Sequence, residues 1–462
     1  MSVATETAAE PLSPPALSPR TLALLNDPIV PMLFRLAWPN MLVMLAQAAS
    51  GLIETFFVGK LGTDALAGMA LVFPGVMLMG MISAGAMGGG ISSAIARALG
   101  GRRHHDADAL VLHALVINLL LGSIFSAVFL IFGRDIYRAM GGEGASLEAA
   151  LAYSDVVFAG SLLLWTMNGL ASAVRGAGNM LMPSIVIVVG VALLIPLSPM
   201  LIFGFGPLPA LGIVGGGVAL VLFYAGGTAV LAWYVLSGRN PARLMLGKLS
   251  WPMFREILRV GAIASITSIQ TNLIVALTTA LVGATYGPGA VAGYGTGARL
   301  EFLLIPLVFG LGAPLVALVG TNIGAGQRER ALRIAAIGGA AAFLITETIG
   351  IGAAIWPEIW LRPFGDDPEM LRVGSTYLRG VGPFYGFFGM GLVLYFASQG
   401  AGKLFWPVTG GFTRLFIAVG GGWLALRLTG SLTGLFVALG IGLVAYGCII
   451  VASIARGVWF KS

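Results

Sequence analysis

The strongest constraint in this chain is a series of apolar runs, each about 20 residues long, the length a helix needs to cross a membrane. Twelve of them centre near residues 45, 77, 121, 161, 192, 223, 270, 306, 344, 387, 415 and 443. The hydrocarbon core that such a helix spans is about 30 Å thick. Inside lipid every backbone N–H and C=O has to be paired within the protein, which a helix does locally and an open strand cannot. Barrel strands, about ten residues of alternating character, do not match these runs. Of the 462 residues, 58% are hydrophobic and 10% charged, against about 25% charged in an ordinary soluble domain. The expectation is an all-α integral membrane protein with twelve transmembrane helices.

Charge is sorted by loop. With the N-terminus taken as cytoplasmic, 17 of the 26 lysines and arginines fall on that side, among them Arg20, Arg35, Arg97, Arg175, Arg239, Arg328 and Lys403. The opposite loops carry acid, Glu143 and Glu148 in "GGEGASLE", and Asp366, Asp367 and Glu369 in "RPFGDDPE". Positive charge is retained on the cytoplasmic side of membrane proteins, so both termini are expected there. The net charge of +7 then reports topology, and no nucleic-acid partner is implied. A single cysteine, Cys448, excludes an internal disulfide and a cysteine metal site. His104, His105 and His113 cluster at one basic loop and offer no metal site. Residues 1–30, rich in Ala, Pro, Ser and Thr, have no basic stretch followed by an apolar core, and read as a flexible cytoplasmic tail rather than a signal peptide.

The chain also repeats itself. "SAVRGAGNMLMPS" aligns with "YFASQGAGKLFWPV" at an offset of 224, setting Gly176, Gly178 and Pro183 on Gly400, Gly402 and Pro407. The same offset sets Gly100 on Gly324. Six runs per half return the chain to its starting side, so two six-helix bundles related by a pseudo-twofold axis along the membrane normal are expected. The boundaries follow as an N-lobe over 31–236, a basic cytoplasmic connector over 237–256 and a C-lobe over 257–462. Prolines inside the runs, Pro39, Pro74, Pro196, Pro306 and Pro383 among them, free carbonyls and bend helices. Dense packing explains any one of them; together they fit a transporter that rocks between two states.

An ionisable side chain inside a membrane costs several kcal/mol and is a functional candidate by default. Gln47, Ser50 and Glu54 lie at i, i+3 and i+7 in the first run, on one helix face. That polar stripe points to an internal cavity, with Glu54 as its acid. The plainer alternative is an acid near a helix end that reaches water or pairs with Lys60, six residues on. Arg299 and Glu301 open the eighth run, two residues apart, so each needs a different partner. Glu347 lies deep in the ninth run, and Arg414, in the eleventh, reads as a buried cation that pins helices by bonding carbonyls. Asn168 in the fourth run and Gln270 and Asn272 in the seventh are amides that either line the pathway or join neighbouring helices.

The stretches "FRLAWPNMLVMLAQAASGLIETFFVGKLGTDALAG", "RGAGN" and "GARLEFLLIPLVFGLGAPLVALVGTNIGAGQRERA", in this order and at these runs, resemble the multidrug and toxic compound extrusion (MATE) transporters. The resemblance extends from about Asp27 to the C-terminus. It implies an antiporter that exports organic cations and other drugs against inward proton or sodium flow, with no cofactor, no enzymatic activity and a monomeric chain in contact with membrane lipid. It sets the acid of the first helix on Glu54, where relatives usually have Asp, the kink proline of that helix on Pro39, and the family's R-x-E on Arg299 and Glu301. The family's helix-eleven arginine and the asparagine before its R-G-x-G fall on Arg414 and Asn168. The chain departs from the family in helix five, where Leu194 and Ser198 replace the Asn and Asp of many proton-coupled members. Helix seven has Gln270 and Asn272 where sodium-coupled members carry Glu, and helix ten has no acid.

Coupling is therefore expected to rest on Glu54. A buried carboxylate is driven toward its protonated form by desolvation and toward its charged form by a cation, so one group can exchange a proton, or Na⁺, for a cationic drug. Rival readings are a flippase for lipid-linked oligosaccharides, which calls for a more basic cavity, and a membrane-embedded enzyme, which calls for converging nucleophile, acid and metal groups.

Overall fold

A computed structural model describes residues 17–207 and 209–460. A short helix α1 (Pro19–Asn26) precedes α2 (Ile29–Gly59) and α3 (Thr63–Gly80), and α3 continues through a π-helical segment (Met81–Met87) into α4 (Gly88–Gly100). Then come α5 (His104–Ala139), α6 (Gly144–Ala159), α7 (Ser161–Gly176), α8 (Leu181–Phe203) and α9 (Ile213–Leu236). Beyond a connector follow α10 (Trp251–Tyr286), α11 (Pro288–Gly324), α12 (Arg328–Ile355), α13 (Pro357–Leu361), α14 (Pro368–Val381) and α15 (Tyr385–Ala401). The last elements are α16 (Phe405–Leu415), a π segment (Phe416–Gly421), α17 (Gly422–Thr429) and α18 (Leu432–Ala455). No β-sheet occurs among the described residues.

Ten helical stretches are long and apolar enough to cross a membrane, and the pair α6 and α7, bent by 45°, makes an eleventh. The expected run near residue 415 differs: the glycine-rich sequence before Trp423 widens into a π turn, leaving three consecutive pieces instead of one regular helix. Helix ends follow local chemistry. Gly402 and Gly430 close α15 and α17 in the left-handed region, at φ 72° and 61°, where a side chain would be strained. Asp367 Oδ1 accepts from Met370 N at 2.8 Å to cap α14, satisfying one of the first-turn amides that has no partner inside the helix.

The tail expected over 1–30 is corrected over 19–26. Ser18 caps α1 by accepting from Thr21 N at 3.2 Å, and Leu24 and Leu25 are buried. Arg20 Nη1 donates to Tyr234 Oη at 2.9 Å, while the carbonyls of Leu24 and Asp27 accept from Asn322 and Arg330. Two adjacent leucines, which with Thr21 form the buried face of α1 and are easily overlooked beside the Pro-rich sequence before them, dock this segment onto both halves of the chain. Residues 1–16 lie outside the described residues. The connector is also shorter than expected, since 251–256 belong to α10. It is held down by Arg243 N donating to Asp108 Oδ1 at 2.7 Å and Ser250 N donating to His113 Nε2 at 2.8 Å.

Equivalent positions of the repeat make equivalent contacts. A Cβ on Gly176 would stand 2.6 Å from the Ser92 carbonyl. On Gly400, its counterpart in the second half, a Cβ would stand 2.7 Å from the carbonyl of Val316, which is the counterpart of Ser92 at the same offset. The halves also meet each other in reciprocal fashion: Gly100 rests against the Thr321 carbonyl, and Gly324 against that of Arg97. Any larger residue at these positions would strike backbone, so glycine sets the approach of the helices.

Candidate functional site

Glu54 is half-buried near the end of α2, with its carboxylate turned toward α6 and α9. Tyr153 Oη, on the buried face of α6, donates to Glu54 Oε1 at 3.1 Å. Gly216 of α9 lies alongside, where a Cβ would sit 3.6 Å from the same oxygen. Lys60 turns away and stands over the Phe56 ring at 4.6 Å, and no ion pair involves Glu54 among the described residues. The pairing with Lys60 is thereby excluded. What remains is an acid held by one phenol, free to take a proton or a cation. Of its expected companions, Ser50 is half-buried and Gln47 exposed, and neither makes a hydrogen bond among the described residues.

A second polar centre lies in the other half. Glu301 Oε1 pairs with Arg414 Nη2 at 2.6 Å, and its Oε2 accepts from Tyr377 Oη at 2.9 Å. Both charged side chains are largely buried, and Arg414 also stands over the Phe388 ring at 5.0 Å. They line a small cleft with Tyr294, Tyr377, Thr271 and Phe302. The expectation that Arg414 bonds carbonyls is corrected: its partner is a carboxylate, because the helical registers bring α11 and α16 together at these two residues. As the spacing required, Arg299 goes elsewhere; it is exposed, 5.7 Å over the Phe364 ring.

The amides are dispersed. Asn168 Nδ2 donates to Ser83 Oγ at 2.8 Å, joining α7 to the π segment at 81–87. Gln270 is buried and donates to the Val408 carbonyl at 3.3 Å. Asn272 is exposed and bonds its own helix at Ser268, so nothing draws it into a site. Pro39 is buried inside α2, which continues through it. Among the described residues no three His, Cys, Asp or Glu side chains converge as a metal site.

A family model described as MatE matches twice, over residues 39–200 and 264–424. This chain belongs to the MatE family of multidrug and toxic compound extrusion transporters. Among its relatives, an FAD transporter of Shewanella oneidensis is 26% identical over 380 residues, 81% of this chain and 82% of that one. A probable multidrug resistance protein of Thermotoga maritima is 28% identical over 383 residues, 81% of each. A solved MATE transporter, described as outward-facing, shares the fold with a TM-score of 0.86 at 23% identity, covering 97% of this chain and all of that one. The two matched stretches open at residues 39 and 264, displaced by nearly the interval at which the chain resembles itself.

MATE membership makes this a transport protein and not an enzyme, and it directs attention to residues that the sequence reading passed over. Tyr153 and Tyr377, each bonded to a carboxylate within the helical bundle, were hidden because a tyrosine inside an apolar run looks like packing. Arg97 and Arg175, counted by sequence as cytoplasmic charges, lie between helices, Arg97 largely buried and Arg175 buried.

Proposed function

We propose that this MATE protein is a secondary active antiporter that exports organic cations or drugs in exchange for H⁺ or Na⁺ by alternating access. The observation that carries the reading is the Glu54 carboxylate, enclosed by α2, α6 and α9 with Tyr153 as its sole bonded partner among the described residues. Protonated, or holding Na⁺ with the Tyr153 hydroxyl beside it, Glu54 has no charge left for a cationic substrate. Deprotonated, it attracts one. Loading and release thus exclude each other at one group. Alternating access needs two bodies that tilt about a shared boundary. The matched glycine contacts and the doubled family match support two six-helix bundles, an N-lobe over 31–236 and a C-lobe over 257–462, with the π-broken stretch at 405–429 as a span. On this reading both termini and the connector face the cytoplasm of a bacterium, and the chain works as a monomer.

Purified protein in proteoliposomes, given a pH gradient and a Na⁺ gradient separately, should move ethidium in response to one of them. Glu54→Gln should abolish the gradient-driven component while leaving the protein folded. Full gradient-driven export by Glu54→Gln would sink the proposal.

A further inference from the structure

A narrow cleft lies between the two halves, lined by residues of α4, α7, α11 and α15 and separate from Glu54 and from the Glu301 centre. Its walls obey the internal repeat: Ser92, Ser172 and Arg175 on one side correspond, at the repeat's offset, to Val316, Phe396 and Gln399 on the other. It therefore straddles the boundary at which the halves are equivalent, the place where transporters built from repeats hold their cargo. The two walls are chemically opposite. The first carries hydroxyls and a guanidinium, and its glycines bring backbone close; the second is apolar apart from the Gln399 amide, with the Phe309 and Phe396 rings edge to face at 5.3 Å.

Arg175 is the feature that demands explanation. It is 6% exposed, and it makes no ion pair and no hydrogen bond among the described residues. A buried charge is normally paired, because leaving it unpaired forfeits its hydration without return. Two further buried polar atoms in the same cleft lack partners, Ser172 Oγ and Gln399 Oε1. Buried polar atoms without partners are rare in native proteins, and three converge here. The Gln399 amide donates to Tyr395 Oη at 2.8 Å; since that phenol can also donate, a half-turn of the amide lets Gln399 offer a donor instead of an acceptor.

We propose that this cleft is an anion-binding site, in which Arg175 and Ser172 hold a phosphate or carboxylate group while Phe309 and Phe396 receive the aromatic or apolar body attached to it. A guanidinium presents paired N–H donors that match two oxygens of such a group. The site is closed on the side of the 101–103 turn, where Ser93 Oγ donates to the Gln399 carbonyl at 2.5 Å and Arg97 reaches Glu256 at 3.5 Å. It goes beyond the exchange at Glu54, and it extends the substrate class from cations to amphipathic anions.

The test is binding without any ion gradient, so that its outcome is separate from the exchange mechanism. Full-length protein in neutral detergent is titrated calorimetrically with 1-naphthyl phosphate, inorganic phosphate and 1-naphthol. The naphthyl phosphate should bind saturably, at least tenfold tighter than either fragment. Arg175→Gln should weaken it at least tenfold and Arg175→Lys less, while Phe396→Ala should erase the preference for naphthyl phosphate over phosphate. If Arg175→Gln does not fold, as judged by melting, Phe396→Ala and Ser172→Ala decide the matter in its place. Absence of saturable binding, or unchanged affinity in folded variants, would overturn the proposal. Nanodiscs of phosphatidylcholine with and without phosphatidylglycerol separate a soluble ligand from a lipid headgroup; loss of naphthyl phosphate binding in the anionic nanodiscs would overturn its assignment to a soluble substrate.

Discussion

Arg97 and Glu256 meet across the boundary between the two halves, Nη2 to Oε1 at 3.5 Å, with both side chains largely buried. Arg97 also donates to the Gly400 carbonyl at 3.0 Å and to Ser93 Oγ, so one guanidinium ties α4 to α10 and to the end of α15. A contact that exists in one arrangement of the halves biases the equilibrium between arrangements by its full differential worth.

Glu256→Gln should therefore weaken this closure by about 1 to 2 kcal/mol, a factor of about 5 to 30 in the ratio of the two states. Spin labels at His105→Cys and Glu329→Cys, in a Cys448→Ala background, report the distance across this face. The parent should give one short distance, and Glu256→Gln should add a longer population. An unchanged distribution would show that the ion pair does not hold the closure.

Glu301 and Arg414 form a second buried ion pair, at 2.6 Å. Removing one member of such a pair strands the other charge, whereas removing both does not. Arg414→Ala should lower stability by about 3 kcal/mol, and Glu301→Leu combined with Arg414→Met should recover most of that. Thermal unfolding in detergent across the double-mutant cycle measures the coupling. Additive losses would mean that the pair is not coupled.

The presence of most of the spans and the doubling of the chain were legible because both are written in one dimension, as runs of apolar residues and as a constant offset. Glu54 was legible for the same reason, being an acid in an apolar run. Its partner was not. Tyr153 is far from it in the chain, and only the packing of α6 on α3 and α9 brings the phenol to the carboxylate. Arg414 was read correctly as buried, but whether it meets carbonyls or a carboxylate depends on the register of α11, which no local pattern fixes. Asn272 fails in the opposite way: it shares a short stretch with Gln270, yet a helix turns residues two apart to different sides. The docking of α1 was obscured by composition, since two leucines decide its fate beside many Pro, Ser and Thr residues.

His113 clamps the connector, and its tautomer is set by its neighbours. Nε2 accepts from Ser250 N at 2.8 Å, so Nδ1 carries the proton and donates to the Ala109 carbonyl at 2.6 Å. His113→Ala removes the acceptor and leaves a half-buried amide unpaired, at a cost of about 1 kcal/mol. Trypsin cleavage after Arg239, Arg243 or Lys248 should then accelerate by at least several-fold, with His113→Gln intermediate. Equal cleavage rates would mean that the contact with Asp108 alone secures the connector.

Glu347 has a structural use that its sequence neighbours did not reveal. Its Oε2 accepts from Gly386 N at 2.6 Å, in the first turn of α15. The preceding residues form a short 3₁₀ turn containing Pro383, so the opening amides of α15 lack the carbonyls that a continuous helix would supply. Thr346, beside it, donates to the Tyr385 carbonyl at 3.0 Å, and together the two side chains fasten α12 to the point where the α14–α15 span is interrupted. A neutral acceptor of the same shape serves this purpose, whereas an apolar residue does not. Glu347→Gln should keep stability within about 0.5 kcal/mol of the parent, and Glu347→Leu should lose about 1 to 3 kcal/mol. Both should retain gradient-driven transport in proportion to folded protein. Loss of coupling in Glu347→Gln at full stability would instead make Glu347 a second ion-carrying acid beside Glu54.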